Sequence, residues 1–135
     1  MKTQRHRLIT VALIATVAVS LFVRLSSAQR SSKLIVSRTA DAGAVDTETF
    51  TPKDHVIYCI LEVPNADPKA TYKFVWGRYD PAMSTPKTLF QEELTGQNGR
   101  VVSKFSSPAD LAAGEYSVNL WTGHSHSRKV FAVKE

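Results

Sequence analysis

The sequence predicts an all-β protein: an antiparallel sandwich of about seven strands, preceded by a signal peptide. Three observations predict it. From residue 55 onward, short runs of β-branched and aromatic residues recur, each bounded by Pro, Gly, Asn or Asp. No long stretch carries apolar residues at helical spacing. Residues 1–28 have the three-part organisation of an export signal.

The signal begins with Lys2, Arg5 and Arg7, continues through the uncharged run 8–23, and ends in Arg24-Leu25-Ser26-Ser27-Ala28. Small residues at Ser26 and Ala28 place the cut after Ala28. The rival reading is an uncleaved anchor. A spanning helix needs about 20 apolar residues, range ~17–25, and the 16 residues of 8–23 fall short of that. The expected location is extracytoplasmic, secreted or periplasmic, with an N-terminally anchored form as the alternative.

Residues 29–49 read as a linker and an edge strand: polar 29–33, apolar Leu34-Ile35-Val36, then a loop with a trace of strand near Val45. Pro52 and Asp54 supply turn chemistry, and the domain proper is placed at 50–135. Residues 55–63 are apolar on both alternating faces, as in a central strand covered on both sides. In 71–79, Tyr72, Phe74 and Trp76 share one face, and Lys73 and Val75 the other. Segments 88–94 and 100–105 flank Asn98-Gly99, which predicts a hairpin. A connection at 108–114 has room for one helical turn at 109–112. Two last strands, 116–122 and 128–133, flank 123–127.

Composition excludes several function classes. Four of the 17 Lys and Arg residues lie in 1–28, leaving 13 against 12 acids, a net of +1. With no run of like charge, nucleic acid is not an expected partner. The single Cys59 allows no intrachain disulfide, and its apolar flanks favour a buried, inert thiol.

The segment Leu111-Ala112-Ala113-Gly114-Glu115-Tyr116-Ser117-Val118 resembles the tyrosine corner of immunoglobulin-like domains, in which a Tyr stands two residues before the second core Cys. That resemblance sets Cys59 at the first core Cys position, Val118 at the second, and Trp76 at the core Trp. It covers about residues 50–135 and implies an immunoglobulin-like sandwich with Cys59, Trp76, Tyr116 and Val118 in the core. The pattern is also similar to exported bacterial domains of uncharacterised function. It implies little about activity, because this architecture hosts many functions.

Candidate chemistry is sparse. His124 and His126 have the spacing of two metal ligands on one side of an extended segment, but a Cu or Zn site needs a third ligand and usually a fourth. No Gly-x-Ser-x-Gly elbow, Cys-x-x-Cys pair or Gly-rich phosphate loop occurs, and Glu92 and Glu93 point to opposite faces of a strand. No enzyme and no cofactor is expected. If Tyr116, Val118 and Leu120 face inward, Trp121 faces outward. Alternation then places Val130 beside it, with Lys73 and Val75 on the strand of Trp76. The expected function is an exported, non-enzymatic binding or structural module using the outer face at Trp121, Val75, Lys73 and Val130. Its partner would be a protein or cell-envelope component, a second copy included. A membrane would be a partner only if the N-terminal segment is retained. The alternative is an extracytoplasmic Cu or Zn protein using His124 and His126.

Overall fold

A computed structural model describes residues 32–64, 66–96, 99–123 and 125–135. The expected signal peptide, its cut after Ala28 and the start of the linker lie outside the described residues, as does His124. The described residues contain strands and no helix. The strands are β1 (Lys33–Ser37), β2 (Thr49–Phe50), β3 (Val56–Glu62), β4 (Thr71–Arg78), β5 (Lys87–Thr95), β6 (Arg100–Ser106), β7 (Gly114–Trp121) and β8 (His126–Val133). They form two sheets, β1-β3-β6 and β2-β8-β7-β4-β5.

Both sheets contribute to one buried cluster: Val36, Ile57, Cys59, Leu61, Val101 and Phe105 from the first, and Tyr72, Phe74, Trp76, Tyr116, Val118 and Phe131 from the second. This is the two-layer arrangement of a β-sandwich. Alternation set which side chains enter it, since a one-residue slip would expose the whole set. Strand β3 runs between β1 and β6: Ile57, Cys59 and Leu61 look into the core, while on the opposite face Ile60 is fully buried, Val56 and Tyr58 are half-buried and Glu62 is exposed. The continuous apolar run of 55–63 has this cause.

The structure corrects several expectations. Among the described residues there are eight strands rather than about seven, because Thr49–Phe50 adds a short one, and it pairs parallel with β8. Val45 lies in a loop. Segments β5 and β6 do not form a hairpin: β5 pairs with β4 and β6 with β3. The chain there crosses from one sheet to the other. Gly99 serves that crossing with φ of 74°, where its carbonyl accepts from Val63 N–H at 2.8 Å. The expected helical turn at 109–112 is absent. Leu111 is instead drawn inward, and its N–H donates to Pro52 O at 2.9 Å.

Inward-pointing charges close the two long sides. On one side Lys129, in register with the core residue Val118, reaches Asp46 at 2.5 Å. On the other, Glu92 shares its face with Phe74 and accepts from Ser103 Oγ at 2.6 Å. Ser103 in turn accepts the Trp76 indole N–H. One end is closed by Leu111 and by the corner at Tyr116, whose hydroxyl donates to Ala112 O at 2.7 Å. Asp110 adds bonds to Lys53 (2.6 Å) and His55 (2.8 Å). These partners, Lys53 first, hold the Asp110 carboxyl below its ordinary value.

Candidate functional site

The outer face of the five-stranded sheet is read from its registers. One row runs Glu93, Lys73, Trp121, His126; the next runs Gln91, Val75, Asn119, Arg128. The third contains Gly77, Ser117 and Val130. Gly77 sits at a register shift: Trp76 faces Phe90 and Gly77 faces Thr88, so Leu89 is an extra residue. A Cβ at Gly77 would come within 3.2 Å of Lys87 O and Pro86, so a larger side chain there would press on the start of β5.

Trp121 is 50% exposed, whereas Trp76 is 1% exposed. The Trp121 ring stacks on His126, with centroids 4.0 Å apart and planes 24° from parallel. His126 Nε2 lies 3.0 Å from Asn119 Oδ1, so the ring donates there. These contacts fix an exposed indole in a strand, at low conformational cost to any partner that packs on it. Lys73 is exposed and Val75 half-buried in the neighbouring strand. Val130 is exposed but does not stand beside Trp121. It faces Ser117, four residues along, about 13 Å at ~3.3 Å per residue. Thr122 N–H donates to Ser125 O at 2.9 Å, and His126 stands opposite Trp121 instead. The expected patch is therefore drawn out over three rows, with Lys73 and Trp121 in the first, Val75 in the second and Val130 in the third.

His126 belongs to β8 and not to a loop tip. Stacked on an indole and donating through Nε2, it offers an ion only Nδ1. His55 is near Asp110, before β7 begins, while His126 is at the far end of β7, more than about 20 Å away along eight strand residues. Among the described residues no group of three or more His, Cys, Asp or Glu side chains could hold a metal ion.

Cys59, Trp76, Tyr116 and Val118 are all buried in the common cluster. Burial pushes the Cys59 thiol well above its ordinary value, with Lys129 pulling weakly the other way. Trp76 stacks on Phe105, centroids 5.5 Å apart, and meets Phe131 edge-on.

Two features escaped sequence reasoning. The polar chain Trp76–Ser103–Glu92 had a signal, since Ser103 and Glu92 each interrupt an apolar alternation: Val101-x-Ser103-x-Phe105 and Phe90-x-Glu92-x-Leu94. The other is a cavity of about 560 Å³ at the end opposite Leu111, which had no local signal because its walls come from distant segments. Its floor is Leu61, Tyr72 and Leu120.

No protein-family model matches the chain, and no curated protein matches it.

Proposed function

We propose that the chain is an exported, non-enzymatic binding or structural module with immunoglobulin-like connectivity. On this reading it engages a protein or cell-envelope component through the outer face around Trp121. The observation that carries it is the half-exposed indole of Trp121, held in a strand by His126 and flanked by Lys73. Exposed Trp residues are favoured anchors of binding surfaces. The immunoglobulin-like reading is supported by the Tyr116 hydroxyl bond to Ala112 O and by the segregation of β1, β3 and β6 from β4, β5, β7 and β8.

The test compares the exported protein with its Trp121→Glu variant. Both are assayed for retention on isolated envelope material and, by light scattering after size exclusion, for self-association. The expected outcome is a loss of about tenfold or more in one of the two, with an unchanged thermal midpoint, as befits an anchor worth over ~1.4 kcal/mol. Equal behaviour of the two proteins in both assays overturns the reading.

A further inference from the structure

On the three-stranded sheet, Ile35, Ile60 and Val102 stand in one row of the outer face, alternating with the core residues Val36, Cys59 and Val101. The outer face of an antiparallel sheet is commonly solvated. Here Ile60 is fully buried and Ile35 nearly so, although both face away from the second sheet.

The chain that follows β1 turns back over this row. Arg100, in register with Glu62, stands on the same face as Ile60, and its Nη2 donates to Asp41 O at 2.8 Å. Ser37, where β1 ends, is in register with Tyr58. The row of Ile60 lies between those of Tyr58 and Glu62, so a chain that leaves at Ser37 and meets the Arg100 guanidinium at Asp41 passes over it. Ala40 and Ala44, on either side of Asp41, are half-buried.

Both ends of this segment are fixed. At one, Arg38 Nε lies 3.1 Å from Asp54 Oδ1 and Nη2 lies 3.1 Å from Oδ2, and Nη2 also donates to Thr49 O. At the other, Asp46 Oδ1 accepts from Val36 N–H at 3.0 Å, and Thr47 N–H donates to Val36 O at 2.7 Å. The middle is stiffened by Asp41, which accepts from Gly43 N–H through its carboxylate and from Ala44 N–H through its carbonyl. Between Ala40 and Val45, among the described residues, the one hydrogen bond to the sheet is that of Arg100.

We propose that residues 39–45 form a strap, hinged at Arg38 and Asp46 and latched by Arg100, which opens as a unit while the sandwich stays folded and uncovers the apolar row of Ile35, Ile60 and Val102. A segment stiff in the middle and fixed at both ends moves at its hinges. Parting one hydrogen bond and two half-buried alanines from the sheet takes far less than opening the core. The device does not depend on the function proposed for the face at Trp121.

The test uses the full chain carrying Ile35→Cys, with the core thiol of Cys59 as internal reference for opening of the whole domain. A thiol reagent, followed by mass spectrometry of peptides, should modify position 35 at least about tenfold faster than Cys59, because local opening is more frequent than global opening. Adding Arg100→Ala should speed modification at position 35 about threefold or more, the effect of one lost hydrogen bond, and leave the rate at Cys59 within about twofold. Equal rates at positions 35 and 59 overturn the proposal, as does an Arg100→Ala variant with an unchanged rate at position 35. In the unsubstituted protein, NMR should find direct contacts from the methyls of Ala40 or Ala44 to those of Ile35, Ile60 or Val102. Absence of every such contact overturns the proposal whatever the labelling shows.

Discussion

The indole N–H of Trp76 donates to the hydroxyl of Ser103 at 2.9 Å, across the gap between the two sheets. Ser103 is fully buried, and its own hydroxyl donates a hydrogen bond to Glu92 Oε1. Ser103→Ala leaves the indole donor without a partner in the core. The expected cost is ~1–3 kcal/mol, the price of an unsatisfied buried group. Urea denaturation measures it, and an unchanged midpoint would mean the indole finds water.

The Tyr116 hydroxyl donates to Ala112 O, while its ring stacks on Phe131 with centroids 5.6 Å apart. Tyr116→Phe should cost ~1 kcal/mol, the net worth of one hydrogen bond. Tyr116→Ala should cost ~3–5 kcal/mol through the lost ring. Equal stability of Phe and Tyr at this position would show that the corner is held by the ring alone.

Cys59 is fully buried. Its thiol should resist labelling in the native protein and react only as fast as the domain opens. A thiol-reactive dye followed with and without denaturant checks this. Native labelling at the denatured rate would place the side chain at the surface.

Asp54 governs part of the acid response. Burial pushes its carboxyl up, but hydrogen bonds from Arg38 and from Thr51 outweigh burial, and the net pKa lies below the ordinary value. The folded state therefore favours the charged form. Its contribution is present above the unfolded pKa of about 3.9 and is lost as pH falls through the lower, folded value. The stability gap between wild type and Asp54→Asn should be constant near neutrality and shrink below about pH 4. A gap that widens on acidification contradicts the assignment.

If residues 1–28 act as a cleaved export signal, mass spectrometry of the protein recovered from its host should find the N-terminus at Gln29. Recovery of the full-length chain in the membrane fraction alone would instead establish residues 8–23 as a retained anchor.

How much was legible depended on what each feature is made of. The inward set Tyr116, Val118, Leu120 and the outward Trp121 followed from alternation, because one pleat cannot bury both phases. The position of Val130 did not follow. Alternation fixes the face of a residue, but the row depends on the register in which β8 returns along β7. The Asn98-Gly99 pair misled for a related reason: turn chemistry marks a reversal and does not say whether the next strand joins the same sheet. The cavity was invisible because Ser32, Leu61, Tyr72 and Leu120 meet only in three dimensions.

The extra residue at Leu89 and the inward carboxylate of Glu92 bear on how molecules of this protein behave toward one another. Strand β5 is the last in its sheet, nine residues long with Leu89 and Phe90 exposed, and such an edge invites a neighbour's strand. An incoming strand would lose its ladder at the kink and lay its inner face against a charge. At the edge of the other sheet, Asp46 already occupies the N–H of Val36 at 3.0 Å. A chain with one cysteine has no disulfide of its own to hold it closed, so these small irregularities guard it against polymerising strand upon strand wherever it is crowded.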